Sequence, residues 1–287
     1  KGSDVNVFVY SMRSAPMATA CRIKEKIPQA KIYLIITDLP QFMDLGQSRV
    51  KAALKKIDWQ SIKKMQKKFD GFILYAEKMA EYLEIPSDKW ILMEGSYDAK
   101  EIVERKQSKK MAIMYSGKLD EQYGLKLLVD AFDKIANPEL ELWLTGGGNA
   151  TEYIKEKAAK DNRIKFYGFL PSRKDVIEKQ SQATVLINMR LPSERASEYC
   201  FPSKLFEYMA TGVPVLSFKI KGIPKEYADY LYFIENEDVE SIAEAINAVL
   251  KVPLLERNQK GNQAKMFVLE KKNTRIQCER IWEYING

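Results

Sequence analysis

Short apolar runs alternate with longer amphipathic stretches along almost the whole chain. Runs rich in β-branched and aromatic residues, such as VNVFVYS, KIYLIITD and GFILYA, predict strands, and stretches such as MATACRIKEKI between them predict helices. A regular alternation of strand and helix is typical of parallel sheets built from βα units. The pattern therefore predicts an α/β fold with two Rossmann-like, doubly wound parallel-sheet halves.

A charged stretch without periodicity, ERKQSKK at 104–110, interrupts this alternation. We place the domain junction there, with a first domain over 1–108 and a second over 109–270, and we expect the helix over 271–287 to return toward the first domain. The first half has room for about four strands, whereas a complete nucleotide-binding domain has five or six. We therefore expect the first domain to be incomplete.

Composition removes several kinds of chemistry. The 287 residues contain no histidine, which excludes Ser-His-Asp and Cys-His nucleophile systems and removes the commonest transition-metal ligand. Cys21, Cys200 and Cys278 are scattered and have no CxxC spacing, so they indicate neither a disulfide framework nor a zinc site. No run of about 18 apolar residues predicts a membrane span. We expect a cytoplasmic protein that works with carboxylates, cations, hydroxyls and backbone groups.

The positive charge is concentrated in the first part of the chain. Residues 1–110 carry 21 Lys and Arg against 14 Asp and Glu, so the whole net charge of +7 lies there. A basic domain of this kind suits anionic lipid headgroups or phosphorylated substrates. The alternative is a solvated helix face over the lysine-rich residues 55–70.

The stretch FPSKLFEYMATGVPVLSF, at 201–218, predicts a short helix that ends at Gly212 and leads directly into a strand. Ser203 and Lys204 at the start of this helix offer a hydroxyl, a backbone N–H and a cation to a phosphate or diphosphate. Glu207 shares their face and can accept hydrogen bonds from ribose or sugar hydroxyls. The alternative is a capped surface helix with a Lys–Glu pair.

Other strand ends of the second half carry similar features. Gly117 and Lys118 follow one predicted strand, Gly146 to Gly148 follow the next, and Arg190 ends a third. The carboxyl ends of parallel strands meet at one edge of a sheet, where ligands bind. The alternatives are tight βα turns for the glycines and a surface position for the arginine.

The order of these motifs, from YSGKLDEQYG through LTGGGN, FYGFLP and INMR to FPSKLFEYMATG, resembles the C-terminal, donor-binding domain of family-4 glycosyltransferases of the GT-B fold. It is similar to the bacterial branch that builds exopolysaccharide, capsule or lipopolysaccharide sugars. The resemblance covers nearly all of residues 111–287. Residues 1–110 resemble the later half of the family's acceptor-binding domain.

The resemblance implies retaining, metal-independent transfer of a sugar from a nucleotide diphosphate-sugar to an acceptor hydroxyl, with no cofactor. Lys118 stands at the family's basic position and would neutralise the leaving diphosphate, where negative charge grows in the transition state. Glu207 matches the glutamate that holds the nucleotide ribose. Ser203 and Lys204 would flank the phosphates. The base would lie against the backbone of Gly168, Phe169 and Leu170, and Gly148 would adjoin the donor.

Two positions depart from the family pattern. Tyr199 stands where the family has a glutamate that contacts the donor sugar, and Tyr123 replaces a second basic residue. We expect Lys204 or Arg190 to supply the missing charge. In the first half, Asp38 follows a predicted strand and is a catalytic candidate for orienting the acceptor or sugar. Its alternative role is to cap the following turn.

Three other classes remain open at this point. A GT-B-fold epimerase, a non-catalytic scaffold or a nucleotide-sugar-binding regulatory subunit would have similar sheets. The presence of Lys118, Lys204 and Glu207 at the positions that match the family favours the transferase. Its expected partners are a nucleotide-sugar donor, a saccharide or lipid-linked saccharide acceptor and anionic lipid at the inner face of the membrane, but no nucleic acid.

Overall fold

The computed structural model describes residues 5–42, 49–98, 104–106, 108 and 110–287, without the side chains of residues 49–53. The chain divides into two compact units. The first comprises Lys1–Gly95 with Glu198–Phe201 and Cys278–Gly287, and the second comprises Ser96–Ser197 with Pro202–Gln277. Among the described residues, no helix combines the length and the apolar character that crossing a bilayer requires.

The first unit contains a sheet of four parallel strands. In chain order, which is also their order in the sheet, these are β1 (Asn6–Tyr10), β2 (Lys31–Ile36), β3 (Gly71–Leu74) and β4 (Trp90–Leu92). The helices between them are α1 (Ser14–Lys26), α2 (Arg49–Gln66) and α3 (Lys78–Leu83). Every residue of β3 and the apolar residues of β2 except the half-buried Ile35 are buried, because helices cover the faces of a parallel sheet.

The second unit contains six parallel strands, namely β5 (Met111–Ser116), β6 (Leu140–Thr145), β7 (Ile164–Gly168), β8 (Val185–Asn188), β9 (Val215–Phe218) and β10 (Leu231–Ile234). Their order in the sheet is β10-β9-β8-β5-β6-β7. This is the doubly wound order, in which the winding direction reverses between β5 and β8. Such a switch point leaves a crevice beyond the carboxyl ends of the two strands, where ligands bind.

The helices of the second unit are α4 (Leu125–Asp133), α5 (Thr151–Lys160), α6 (Arg173–Gln182), α7 (Lys204–Ala210), α8 (Val239–Lys251) and α9 (Leu254–Lys271). The last helix, α10 (Thr274–Asn286), continues into the first unit from Cys278 onward. Asp238 caps α8 by accepting a hydrogen bond from the Ser241 N–H at 2.6 Å. Gly212, with φ +75°, follows α7 in the left-handed conformation that its position after a helix favours.

The predicted alternation of strands and helices is confirmed in both halves. The two helical stretches predicted around 48–57 and 60–69 form one helix, α2, because no breaker separates them. The predicted C-terminal helical region is divided at Pro253 and again before Thr274. Within the predicted junction at 104–110, residues 107 and 109 lie outside the described residues. The assignment of acceptor and donor roles to the two halves stays a prediction.

Candidate functional site

The switch point of the second sheet brings several of the predicted residues together. Gly117 follows β5 directly, and Lys204 begins α7, which leads into β9. A Cβ atom on Gly117 would lie 1.5 Å from the Lys204 Nζ, so the ammonium group sits against the bare backbone at the end of β5. Gly117 also has φ +135°, a conformation that side chains rarely adopt. The backbone conformation therefore favours glycine here, and a side chain would displace the Lys204 ammonium.

The Lys204 ammonium lies beside the neutral phenol of Tyr115. Its Nζ is 3.5 Å from the Tyr115 hydroxyl and 4.7 Å from the centre of the Tyr115 ring. Burial lowers the pKa of Lys204 to about 8, and the charge of Glu207 opposes this shift only partly. A desolvated ammonium has much to gain from a nearby anion, because water no longer screens the attraction. Lys204 can therefore hold a phosphate group at the switch point.

Lys118 is exposed and is paired with a carboxylate that the sequence analysis did not single out. Its Nζ lies 2.6 Å from Asp120 Oδ2, and this bond raises the pKa of Lys118 and lowers the pKa of Asp120. The other Asp120 oxygen accepts a hydrogen bond from the Asn149 N–H at 2.9 Å. A Cβ on Gly148 would lie 2.4 Å from the same oxygen, so this glycine allows the turn to close on Asp120. An anion at this strand end would compete with Asp120 for Lys118.

Glu207 is held on both carboxylate oxygens. Gln180 Nε2 donates to Oε1 at 2.7 Å, and Arg173 Nε lies 3.4 Å from Oε2. Gln180 is fully buried and also donates to the Ser116 Oγ at 2.8 Å, which ties Glu207 to the end of β5. The carboxylate is thereby fixed in orientation, although the Glu207 side chain is partly exposed. Gln180 and Arg173 have no motif in the sequence, since only the fold places α6 beside α7.

The Ser116 backbone at the end of β5 is anchored from α7. Its N–H donates to the Tyr208 hydroxyl at 2.9 Å, and burial raises the pKa of Tyr208 to about 12. Tyr208 is fully buried, so this phenol is a fixed, neutral partner. The contact holds the start of the β5 loop against the helix that carries Lys204 and Glu207.

The loops after β6 and β7 close on each other. Gly168 O accepts hydrogen bonds from the Gly146 N–H at 2.7 Å and from the Thr145 Oγ1 at 2.6 Å. A Cβ on Gly147 would lie 2.7 Å from the Phe169 ring, so that ring covers the glycine loop. Phe169 is nevertheless 83% exposed, and Leu170 beside it is half-buried. This edge offers a flat aromatic surface with adjacent backbone.

The Nε of Arg190 is engaged with neighbouring side chains. It donates to the Ser197 Oγ at 3.0 Å and lies 3.1 Å from a Glu194 carboxylate oxygen. The guanidinium carbon stands 5.5 Å from the centre of the Tyr123 ring. Of the two cations expected to replace the basic residue at position 123, Lys204 is the one that lies at the end of β5.

Ser203 and Tyr199 precede α7 but differ in their surroundings. Ser203 is exposed at the N-cap position with helical backbone angles, and its side chain makes no capping hydrogen bond. Tyr199 belongs to the first unit, where its ring stacks on Phe42 at 4.9 Å between centroids and meets the edge of Tyr82 at 5.2 Å. An aromatic residue at position 199 thus serves packing.

Asp38 belongs to the first unit, whereas the predicted donor-binding residues belong to the second. It is exposed, two residues beyond the end of β2. It lines a cleft of about 1340 Å³ with Arg13, Lys55, Lys56 and Trp59 among the other lining residues. This cleft combines cations, a carboxylate and aromatic surface, which suits a polar ligand with an anionic part.

Comparisons with known proteins give a family and a fold. The family model of the glycosyl transferases group 1 matches residues 97–266. A search of the curated proteins finds no match.

Solved structures share the fold at low sequence identity. Anabaena HepE in complex with UDP is 13% identical, with a TM-score of 0.74 over 98% of this chain and 78% of that one. Sucrose-phosphate synthase from Thermosynechococcus elongatus is 16% identical, with a TM-score of 0.73 over 98% and 73%. The apo lipopolysaccharide outer core galactosyltransferase WaaB is 14% identical, with a TM-score of 0.67 over 97% and 74%. The predicted GT-B fold class is thereby confirmed.

The family match covers more than half of the chain, and it includes every strand end described above in the second unit. The motifs that carried the resemblance lie within the matched residues. The protein therefore belongs to the glycosyl transferases of group 1.

Proposed function

We propose that this glycosyltransferase moves a sugar from a nucleotide diphosphate-sugar to an acceptor hydroxyl, with retention of the anomeric configuration and without a metal ion. The observation that carries the proposal is the largely buried Lys204 ammonium, which lies beside the Tyr115 hydroxyl and against Gly117 at the switch point. A desolvated cation at this place suits a diphosphate. Retention and metal independence rest on the resemblance to family-4 enzymes.

The leaving diphosphate would be stabilised by two lysines. In the transition state the bond between the anomeric carbon and the diphosphate oxygen lengthens, and negative charge grows on that oxygen. Lys204 would meet this charge from α7, and Lys118 would exchange Asp120 for a phosphate oxygen. The hydroxyl of Ser203 would flank the same phosphates.

The nucleoside would lie between Glu207 and the loop after β7. The fixed Glu207 carboxylate would accept hydrogen bonds from the ribose hydroxyls, and the exposed Phe169 ring with the adjacent backbone of Gly168 and Leu170 would frame the base. The structure of HepE that resembles this chain contains UDP. We therefore propose UDP-sugars as the first donors to test.

The acceptor would bind to the first unit, with Asp38 orienting its hydroxyl. A saccharide that carries a phosphate or a lipid diphosphate would suit the cleft, because Arg13, Lys55 and Lys56 line it beside Asp38. Helix α2 exposes Leu54 and Ile57 among its lysines, which favours peripheral contact with anionic lipid at the inner face of the membrane. WaaB, a galactosyltransferase of lipopolysaccharide, supports a role in cell-surface polysaccharide synthesis.

One observation favours a second candidate, a non-catalytic scaffold or a regulatory subunit that binds nucleotide-sugars. Tyr199, at the position where the resemblance leads one to expect a glutamate on the donor sugar, is packed against Phe42 and Tyr82. A protein that had lost transfer could keep nucleotide binding without that glutamate. The test must therefore measure both binding and turnover.

The experiment is calorimetric titration of the chain with UDP, UDP-glucose, UDP-galactose and GDP-mannose in the absence of added metal. Glu207→Gln and Lys204→Gln are the site variants, and Glu152→Gln is the matched control because Glu152 is exposed and its ion pair lies within α5. The proposal expects one donor to bind to the wild type and the control, and about tenfold weaker binding to each site variant. Equal binding to all four proteins would contradict the assigned site.

Turnover separates the two candidates. For the transferase we expect UDP to be released from the bound donor when phosphorylated or lipid-linked saccharides are offered as acceptors. The anomeric proton of the product, measured by NMR, should show the configuration of the donor. Tight donor binding without transfer to any acceptor would favour the scaffold.

A further inference from the structure

Four buried polar atoms that have no hydrogen-bond partner among the described residues belong to neighbouring side chains, since the charge of Arg257 acts on both Arg105 and Tyr232. These atoms are the Arg105 Nε and Nη2, the Arg257 Nε and the Tyr232 hydroxyl. Arg105 precedes β5 and Tyr232 is the second residue of β10, so both lie toward the amino edge of the second sheet. The donor features lie at the carboxyl edge. The group is therefore separate from the site described above.

Arg257 is a buried cation whose hydrogen bonds are incomplete. It lies in the first turn of α9 with 7% of its surface exposed. Its Nη1 donates to the carbonyls of Val249 at 3.3 Å and Leu250 at 3.1 Å, which are among the last of α8. These bonds cap α8 but do not neutralise the guanidinium charge. The Arg257 Nε has no hydrogen-bond partner among the described residues.

Arg105 is oriented by α9. Its Nη1 donates to Asn258 Oδ1 at 2.6 Å, and Asn258 is the next residue after Arg257. The two unpartnered nitrogens of Arg105, Nε and Nη2, form one edge of the guanidinium, which matches two oxygens of a carboxylate or phosphate. Burial lowers the pKa of Arg105, and the positive charge of Arg257 lowers it further.

The surroundings are mainly cationic. Lys260 Nζ stands 5.0 Å from the centre of the Tyr232 ring, and burial lowers the pKa of Lys260. Glu256 and Asp229 are the acidic residues that act on this side of the cluster. Within the part of the chain that the structure describes, neither Arg105 nor Arg257 has a carboxylate within ion-pair distance. Two buried guanidinium groups without a counterion are costly, because desolvation is not repaid by an opposite charge.

We propose that Arg105, Arg257 and Tyr232 form a binding site for a phosphate-type oxyanion at the amino edge of the second sheet. The Arg105 edge would bind two oxygens, and the Arg257 Nε and the Tyr232 hydroxyl would donate to the others. Phosphate suits this set better than a halide because the donors come from three segments and carry two positive charges. The bound anion would join the segment before β5, β10 and α9, and so stabilise the second unit.

The test is thermal unfolding of the full chain at increasing concentrations of inorganic phosphate, with ionic strength kept constant by sodium chloride. Wild type should show a saturable rise in Tm. Arg105→Gln and Tyr232→Phe should bind phosphate about tenfold more weakly, since each removes hydrogen bonds to a charged ligand. Tyr232→Phe removes one hydroxyl only, so it keeps the test valid if the arginine variant folds poorly.

Two further variants serve as controls. Lys155→Gln changes the charge at an exposed position on α5 and should keep the phosphate response of the wild type. Lys204→Gln removes the cation proposed to hold a phosphate at the switch point, so the saturable response that this variant keeps belongs to the amino edge. Adding Arg105→Gln or Tyr232→Phe to Lys204→Gln should weaken that response about tenfold. No saturable response in Lys204→Gln, or an unchanged response after both additions, would overturn the proposal.

The source of the phosphoryl group is distinguished with glycerol 1-phosphate in place of inorganic phosphate. Equal responses would show that the site binds the free ion or the phosphoryl group alone. A tighter response to glycerol 1-phosphate would indicate a phosphorylated metabolite. Both results support the oxyanion site, provided that Arg105→Gln reduces them.

Discussion

The Lys204 ammonium occupies the space that a side chain on Gly117 would need, 1.5 Å from the position of its Cβ. A residue near the start of α7 and a residue 87 positions earlier in the chain thus share one point at the end of β5. The fit makes the ammonium part of the floor of the switch-point crevice. It also makes the two residues interdependent, which several variants can test.

Replacing Gly117 by alanine should weaken nucleotide binding more than it weakens folding. The φ of +135° costs an alanine about 1 to 3 kcal/mol in the free energy of unfolding. The clash itself is with the flexible end of Lys204, which can move away and so leaves the phosphate position. Gly212→Ala is the matched control outside the proposed donor site, because its φ is +75° and its Cβ would come no nearer than 3.3 Å to another group, the Asn262 Oδ1. Urea unfolding and UDP calorimetry on both variants measure the two effects. Equal losses of UDP affinity would contradict the prediction.

The stability contributed at position 204 should depend on pH between about 8 and 10.5. Burial lowers the pKa of Lys204 from 10.5 to about 8, so between these values the unfolded chain binds more protons than the folded chain. The free energy of unfolding therefore rises with pH in this window and is insensitive to Lys204 below it. The rise should reach at most about 3 kcal/mol. Urea unfolding across this pH range gives the free energy of unfolding of wild type and of Lys204→Met. The difference between the two separates the contribution of Lys204 from that of the other lysines.

Binding of UDP above pH 8 should take up a proton. A phosphate beside Lys204 favours the charged amine and raises its pKa, so a fraction of molecules that were neutral become protonated. Calorimetry in buffers with different ionisation enthalpies gives the number of protons, which should approach about one near pH 9. Lys204→Met should show no uptake assignable to this group. An uptake that persists in this variant would assign the proton elsewhere.

Asp120→Asn should strengthen binding of the diphosphate. The carboxylate of Asp120 competes with a ligand for Lys118, and the asparagine oxygen can still accept the hydrogen bond from the Asn149 N–H. Because Lys118 is 62% exposed, water screens the pair, and the gain in UDP affinity should be at most about fivefold. Adding Lys118→Gln should abolish the gain. A weaker affinity in Asp120→Asn alone would show that the carboxylate assists binding.

Gln180 should act as a positioning residue for Glu207. In Gln180→Leu the shape is nearly kept but the hydrogen bond to Glu207 is lost, so the preference for UDP over 2′-deoxy-UDP and 3′-deoxy-UDP should fall by about tenfold. In Gln180→Glu a second carboxylate would repel Glu207 at neutral pH, and acidification should partly restore UDP binding. Calorimetry with the three nucleotides measures both effects. A merely structural role would lower stability and leave the preference unchanged.

Much of the fold follows from local pattern. Alternation of apolar runs with amphipathic stretches determined ten parallel strands in two sheets, because a strand buried on both faces needs a continuous apolar run and each crossover needs a helix. Gly212, in the stretch FEYMATGVPV, likewise determined where α7 ends. These features depend on neighbours in sequence, and so the sequence by itself was sufficient for them.

The partners of the site residues were decided by the tertiary structure. Nothing in the sequence pairs Lys118 with Asp120 rather than with a ligand, commits Arg190 to Ser197 and Glu194, or places Gln180 and Arg173 on Glu207. The same holds for Tyr199 against Phe42 and for the unpartnered nitrogens of Arg105. The physical reason is range: strand and helix formation depends on residues a few positions apart, whereas burial, charge pairing and pKa depend on segments that only folding brings into contact.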